Sequence, residues 1–197
     1  MKVGVLSVQG AFAEMEAYWR GKSAEVFEIR QPADLDHGMD LLALPGGEST
    51  VQGKLLKELG LFAPLKQAID GGLPVFATCA GLILLAERID DPGRHGDETR
   101  PERWFGSLPV AVRRNAYGRQ LGSFATVDEM RGVGRIPMTF IRAPYIASVS
   151  GGAQTLATVD GHIVAARQGS QLVTAFHPEL TEDTRVHEYF LQMLGHC

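Results

Sequence analysis

One cysteine lies at the junction between two apolar segments of different character. Residues 74–78 form a short apolar run that predicts a buried strand, and residues 80–87 are rich in strong helix formers. A strand that turns directly into a helix places the residue at the turn in strained backbone geometry, as in the nucleophile elbow of hydrolases. The helix N-terminus also presents unpaired N–H groups, which favour a thiolate over a thiol. Cys79 is therefore a candidate nucleophile; the alternative is a small buried hydrophobe, as most free cysteines are.

A nucleophilic thiol needs a base, and the segment FHPEL offers a candidate. His177 and Glu179 directly follow an apolar run, residues 171–176, that predicts a strand. Because they stand at the carboxyl end of that strand, we expect them on the same edge of the sheet as Cys79. Residues two apart in extended backbone share a face, so Glu179 can orient an imidazole that faces the thiol. The alternative is a surface loop that leads into the last helix.

The segment LPGGEST, residues 44–50, combines a strand end, two glycines and a helix start. Such a loop exposes backbone N–H groups that suit an oxyanion or a carboxylate. A Gly-Gly turn in which Ser49 or Thr50 caps the helix explains the same pattern and is compatible with that role. The G-x-x-x-x-G-K-[ST] spacing of a phosphate-binding loop is absent.

Two arginines are candidates for binding an anionic group. Arg114 lies in RRNAYGRQ, residues 113–120, and either pairs with a substrate carboxylate or belongs to a solvated turn. Arg142 is the one charged residue in FIRAP, residues 140–144, where an isolated arginine is more often an ion-pair partner than a ligand clamp. The residues around Arg114 and Arg142 do not decide between a substrate-binding role and a structural role.

The elements that must position these side chains change in character along the chain. Strands are predicted at 2–8, 24–30, 39–45 and 74–78, and helices at 10–21, 48–62, 63–72 and 80–87. This alternation predicts right-handed crossovers and a parallel sheet, with ligands at the carboxyl ends of its strands.

The second half of the chain is richer in short strand patterns. Residues 107–178 contain β-rich runs, and the Asp160–Gly161 pair predicts a hairpin between two of them. Residues 181–195 predict an amphipathic helix with Thr181 as its N-cap. The polar segment 90–103 predicts an exposed loop.

Composition excludes several classes of protein. The chain has 197 residues, of which 45% are hydrophobic and 21% charged, and its net charge is -4. The sequence lacks the basic stripe that is typical of a nucleic-acid-binding surface, and its apolar stretches are too short to span a membrane. With two cysteines, Cys79 and Cys197, a disulfide framework is implausible and a cytoplasmic location is expected. We expect a single domain over residues 1–197.

Six segments occur in order along nearly the whole chain: VGVLSVQGA, LPGGEST, TCAGL, RNAYGRQ, FIRAP and FHPELTED. Together they resemble the glutaminase subunits of pyridoxal 5′-phosphate synthase, within the class I (triad) glutamine amidotransferases. The short C-A-G and H-P-E matches would indicate only the superfamily, and the last three segments narrow the resemblance to these subunits. It implies an α/β fold: a single-domain, three-layer, flavodoxin-like sandwich with a mainly parallel central sheet.

The resemblance also implies a reaction and its residues. Cys79 would form a thioester with L-glutamine, with His177 as base and acid and Glu179 orienting the imidazole. The glutamine site would comprise Gly47, Glu48, Ser49, Arg114, Ile141 and Arg142, and the backbone N–H groups of Gly47 and Ala80 would bind the oxyanion. No cofactor and no metal are implied. The ammonia would pass to a separate (β/α)₈-barrel synthase subunit in a hetero-oligomeric complex.

Ala77 departs from the family pattern, and two alternative functions are weighed against the resemblance. Ala77 stands where the superfamily elbow usually has glycine, and we expect a strand-end position with negative φ to accept its methyl group. A non-catalytic interaction subunit is the first alternative, and the complete set of Cys79, His177 and Glu179 argues against it. A stress-related cysteine protein of the related α/β type commonly has histidine directly after the cysteine, where this chain has Ala80.

Overall fold

The computed structural model describes residues 1–21, 24–90, 103–114 and 123–195. Three sequence predictions fall outside these ranges: nearly all of the polar loop at 90–103, most of the RRNAYGRQ segment, and the tail with Cys197.

Within the described ranges the elements follow one another in an α/β order. The strands are β1 (Lys2–Leu6), β2 (Glu25–Ile29), β3 (Leu41–Leu44), β4 (Val75–Thr78), β5 (Ala86–Asp90), β6 (Leu108–Arg113), β7 (Ser123–Met130), β8 (Gly134–Ile141), β9 (Tyr145–Val149), β10 (Gln154–Val159), β11 (His162–Gln168) and β12 (Gln171–Thr174). The helices are α1 (Phe12–Arg20), α2 (Ser49–Glu58), α3 (Phe62–Asp70), α4 (Ala80–Leu85) and α5 (Arg185–Met193). Two 3₁₀ turns cover Pro32–His37 and Pro178–Leu180.

The central sheet has a parallel part and an antiparallel extension. Its order is β2-β1-β3-β4-β12-β11-β10-β7-β8, and the pairs from β2 to β12 are parallel. The remaining pairs along this path are antiparallel, and β9 branches from β11 to reach β6 and then β5. As a result, the carboxyl ends of β1, β3, β4 and β12 lie side by side at one edge of the sheet.

Helices cover both faces of the parallel part. Phe76 of β4 contacts Trp19 of α1 and Phe190 of α5, with ring centroids 5.4 Å and 5.5 Å apart. Leu44 pairs in register with Ala77, so its side chain lies on the face opposite Phe76. That opposite face is covered by α4, whose backbone closely approaches Leu44. The sheet therefore forms the middle of three layers, which explains why β3 and β4 are apolar along their whole length.

The hairpin predicted at Asp160–Gly161 is confirmed. Asp160 has φ 49° and Gly161 has φ 78°, the pair of positive values that a type I′ turn requires. The turn joins β10 to β11, with Val159 opposite His162 in the antiparallel register.

The prediction of a helix over residues 80–87 is wrong at its C-terminal end. Helix α4 stops at Leu85, and Ala86 takes up extended backbone with φ -59° and ψ 136°. Residues from Ala86 onward form β5, which pairs with the buried strand β6. Pairing between distant segments therefore overrides the helix propensity of this stretch.

The predicted start of the last helix is also corrected. Thr181 is not an N-cap: its hydroxyl donates to the carbonyl of Pro178 in the preceding 3₁₀ turn. The helix begins four residues later, where the Asp183 carboxylate accepts the backbone N–H of Arg185 at 3.0 Å. Within the described residues, no helix is both long and apolar enough to cross a membrane.

Because α4 packs closely on β3, we predict that a larger residue at Gly81 lowers the stability of the fold. A Cβ atom on Gly81 would lie 2.4 Å from the carbonyl oxygen and 2.8 Å from the Cβ of Leu44. Although alanine is the better helix former, we expect Gly81→Ala to lower the free energy of unfolding by about 1–3 kcal/mol. Gly21→Ala is the control, because its Cβ would meet only carbonyl oxygens at 3.5 Å and 3.6 Å. Equal urea midpoints for the two variants would contradict this account.

Candidate active site

The predicted elbow at Cys79 is confirmed. Cys79 joins β4 to α4 with φ 48° and ψ -100°, a strained conformation for a residue with a side chain. Its backbone N–H donates to the carbonyl of Thr174 on β12 at 2.8 Å, and the residue is 6% exposed. Ala77, two residues earlier, lies inside β4 and is buried without a positive φ, as expected.

His177 and Glu179 are joined by a buried hydrogen bond beyond the end of β12. The Nδ1 of His177 lies 2.8 Å from Oε1 of Glu179, and the two side chains are 5% and 0% exposed. The backbone N–H of His177 donates to the carbonyl of Thr139 in β8 at 2.8 Å. The expected extended geometry between the two residues is wrong, because a 3₁₀ turn begins at Pro178 and this turn brings the carboxylate back to the imidazole.

A residue that the sequence analysis missed completes this arrangement. The hydroxyl of Thr78 donates to the same Oε1 of Glu179 at 3.0 Å. Thr78 is the last residue of β4 and is 0% exposed. The carboxylate therefore connects the strand before Cys79 with the imidazole beyond β12. No local sequence signal identifies Thr78, since a threonine at the end of a buried strand is ordinary.

The environment of His177 favours the imidazolium form. Burial alone would disfavour the charged ring. Hydrogen bonds and electrostatic interactions with Cys79 and Glu179 outweigh burial and raise the pKa of His177 to about 10. An imidazolium at neutral pH can stabilise a neighbouring thiolate and can deliver a proton to a leaving group.

A cavity of about 650 Å³ opens in front of Cys79. Its lining includes eight of the ten residues that the sequence analysis selected: Gly47, Glu48, Ser49, Cys79, Arg114, Ile141, Arg142 and His177. The other two, Glu179 and Ala80, are buried without lining the cavity. No cluster of three or more His, Cys, Asp or Glu side chains in the described part of the chain is suited to hold a metal ion.

Glu48 caps the N-terminus of α2. Its carboxylate accepts the backbone N–H groups of Thr50 at 3.2 Å and Val51 at 2.8 Å, so Glu48 caps the helix instead of Ser49 or Thr50. Its own N–H donates to Oε1 of Gln9 at 2.9 Å. Gln9 also lines the cavity and was missed in the sequence, although its position beyond the end of β1 is a signal that could have identified it.

Arg114 and Arg142 both reach the cavity. Nη1 of Arg114 donates to the Thr50 hydroxyl at 3.0 Å, which holds the guanidinium against the start of α2. Arg142 has φ 43°, a second strained residue in the lining. The carbonyl of the preceding residue, Ile141, lies 3.9 Å from the sulfur of Cys79.

The two glycines after β3 allow the backbone to lie very close to the His177 imidazole. A Cβ on Gly46 would lie 2.3 Å from Cε1 of His177, so any larger residue would displace the imidazole. The carbonyl of Gly46 accepts the backbone N–H of Ala11 at 2.9 Å. Because the peptide is trans, the N–H of Gly47 points away from Ala11.

The raised pKa of His177 predicts how this residue contributes to stability as pH changes. A histidine with a raised pKa stabilises the folded state fully below its ordinary value of 6.5, and this contribution is lost as pH rises through about 10. We therefore expect the difference in unfolding free energy between the wild type and His177→Asn to decrease from pH 6 to pH 10. Urea denaturation across this range measures the difference. A difference that stays constant across this range would contradict the raised pKa of His177.

Comparison with known proteins identifies the family. A model of the SNO glutamine amidotransferase family matches residues 5–196. The pyridoxal 5′-phosphate synthase subunit PdxT of Desulfitobacterium hafniense (strain Y51) is 52% identical over 195 residues, which cover 99% of this chain and 94% of the relative. The subunit of the same name from Streptococcus pneumoniae (strain ATCC 700669 / Spain 23F-1) is 50% identical over 196 residues, which cover 98% of this chain and 97% of the relative. A crystal structure of a glutamine amidotransferase matches with a TM-score of 0.86 at 40% identity and covers 98% of both chains. The chain belongs to the SNO glutamine amidotransferase family.

Proposed function

We propose that the chain hydrolyses the side-chain amide of L-glutamine as the glutaminase subunit of a pyridoxal 5′-phosphate synthase. The observation that carries this proposal is the buried His177–Glu179 pair next to a strained cysteine at the floor of a cavity. Membership of the SNO glutamine amidotransferase family and the similarity to two pyridoxal 5′-phosphate synthase subunits support the same activity and the same assembly. We further infer that residues 1–197 act as one domain and work in the cytoplasm.

The reaction proceeds through a thioester. The sulfur of Cys79 attacks the amide carbon of glutamine, and the carbonyl oxygen becomes an oxyanion. The imidazolium of His177 then gives a proton to the nitrogen, the C–N bond breaks, and ammonia leaves. His177 next takes a proton from water, whose oxygen attacks the thioester carbon. The C–S bond breaks, which restores the thiolate beside the imidazolium, and glutamate is released as its new carboxyl group loses a proton to solvent. Glu179 holds the imidazole in the orientation that both proton transfers need.

The remaining lining residues position the substrate. Arg114 and Arg142 supply positive charge for the α-carboxylate of glutamine, in keeping with the strength of guanidinium–carboxylate pairs. Gly47, Glu48, Ser49 and Ile141 form the walls around the side-chain amide. The backbone N–H groups of Gly47 and Ala80 stabilise the oxyanion, since Ala80 begins the helix that follows the nucleophile.

The ammonia passes to a synthase on a separate chain. The strands of the described residues form one sheet, and the cavity at its edge contains the proposed glutamine site. We propose that the partner is a (β/α)₈-barrel subunit and that the two chains form a hetero-oligomeric complex. No cofactor takes part in the glutaminase half of the reaction.

Replacement of the nucleophile tests the function directly. In the complex with the synthase, Cys79→Ala should lower ammonia release from glutamine by roughly 10⁴-fold or more, because the thioester cannot form. Cys197→Ala, which removes the other cysteine of the chain, is the matched control and should retain activity. Free ammonium should restore coenzyme synthesis by the Cys79→Ala complex. Ammonia release by this variant at the wild-type rate would refute the assignment.

The peptide between Gly46 and Gly47 predicts dependence on the partner. Among the described residues, the Gly46 carbonyl accepts one hydrogen bond, from the backbone N–H of Ala11, and rotation of this peptide would exchange a carbonyl for the N–H of Gly47. Losing one oxyanion donor costs about 10²–10³ in rate, so the synthase can control hydrolysis by setting this orientation. We expect the isolated chain to be a poor glutaminase that increasing synthase stimulates by about that factor. Equal rates for the isolated chain and the complex would exclude such a switch.

A further inference from the structure

Thr78 makes a side-chain hydrogen bond to Glu179, which is unusual for a residue at the end of a core strand. Its side chain is fully buried, and its hydroxyl donates to a carboxylate oxygen that is also buried. Valine has the same shape and would suit this position in β4 without placing a hydroxyl in the core. The hydroxyl is therefore best explained by what it contacts, which is Glu179.

The two oxygens of Glu179 have different surroundings. Oε1 accepts from the Thr78 hydroxyl at 3.0 Å and lies 2.8 Å from Nδ1 of His177. Oε2 is buried and makes no hydrogen bond within the described residues. With the imidazole as its one partner, the carboxylate could turn about its last bond and present either oxygen. The second donor, from the neighbouring strand, determines which oxygen faces His177 and at what angle.

The matching residue on the next strand shows that this contact is specific. Thr174 of β12 pairs in register with Thr78 and is buried to the same degree. Its hydroxyl donates to the backbone carbonyl of Phe176 at 2.7 Å and makes an ordinary turn contact. Two equivalent threonines thus end two adjacent parallel strands, and Thr78 is the one that reaches the carboxylate.

We propose that Thr78 is a positioning residue of the active site: its hydroxyl fixes the Glu179 carboxylate so that Oε1 holds the His177 imidazole in the tautomer and orientation that serve Cys79. This role rests on the proposed glutaminase function. Thr78 acts through Glu179 and does not touch the reacting atoms, so its removal should affect turnover more than substrate binding.

The first test compares two variants at this position in the complex with the synthase. Thr78→Val removes the hydroxyl and keeps the shape, and it should lower kcat for glutamine hydrolysis by about 10- to 100-fold, a range typical of hydrogen bonds to charged groups. The KM for glutamine should change less than about twofold, because Thr78 does not line the cavity. Thr78→Ser keeps the hydroxyl and should restore most of kcat. Wild-type kcat in Thr78→Val, or equal losses in both variants, would overturn the proposal.

A double-mutant cycle with Glu179→Gln tests whether Thr78 acts through the carboxylate. If it does, Thr78→Val should cost much less in the Glu179→Gln background than in the wild type. Thr174→Val is the matched control: it also loses a buried hydroxyl, and its effect should add to that of Glu179→Gln. Additive costs for Thr78→Val would show a structural role alone and overturn the proposal. Thermal unfolding identifies any variant that fails to fold, in which case Thr78→Ser and Thr78→Ala replace it in the cycle.

A spectroscopic measurement on the isolated chain does not depend on activity. Proton NMR should show a low-field Nδ1–H resonance that His177→Asn removes. We expect this resonance to shift or broaden in Thr78→Val and to persist in Thr78→Ser and Thr174→Val. An unchanged resonance in Thr78→Val would overturn the positioning role. If the wild-type complex releases no ammonia from glutamine, the proposed function fails, whereas this measurement still decides the role of Thr78.

Discussion

The strained backbone of Cys79 is the constraint on which the site depends. A positive φ at a residue with a side chain costs of order 1–3 kcal/mol, and it persists only where surrounding structure holds it. Here the N–H of Cys79 is bound by the carbonyl of Thr174, and the helix that follows packs closely on Leu44 through Gly81. Both restraints come from strands adjacent to β4 in the sheet. The parallel sheet therefore supports the strain that exposes the thiol to the cavity.

Burial of charge next to the thiol is the second requirement. Ionised groups lose hydration when buried, and the loss is offset only by good geometry and additional hydrogen bonds. The His177–Glu179 pair meets this condition through the 2.8 Å bond between them and the second donor from Thr78. Hydrogen bonds with Cys79 and Glu179 outweigh the effect of burial and raise the pKa of His177 to about 10, so the imidazole is charged at neutral pH. Stability and reactivity at this site thus have a common electrostatic origin.

The cavity wall formed by residues 46–50 is held in place by hydrogen bonds between loops. Glu48 caps α2 with its carboxylate and is itself held by Gln9, while Ala11 holds the carbonyl of Gly46. Loops beyond β1 and β3 therefore determine together where the start of α2 lies. Apart from the two hydrogen bonds of the Glu48 cap, each of these contacts is a single hydrogen bond worth about 1 kcal/mol.

Much of the arrangement follows from local sequence. The apolar runs predict the parallel strands, the small residues around Cys79 predict a sharp turn, and the Asp160–Gly161 pair predicts its hairpin. The strand-end rule then places Cys79 and His177 on one edge, because parallel strands present their carboxyl ends together. These features depend on neighbours in the chain, and a sequence contains that information directly.

Other features were decided only by contacts between distant segments. Helix α4 gives way to β5 because β6 is available to pair with it, and the 3₁₀ turn after Pro178 replaces the expected extended link to Glu179. Thr78 and Glu179 are 101 residues apart in sequence, and they meet because β4 and β12 are neighbours in the sheet. The sequence by itself thus determined the strands, the turn and the reactive residue types. The tertiary structure decided which buried oxygen faces the imidazole, because a hydrogen bond depends on distances and angles that strand order and register set.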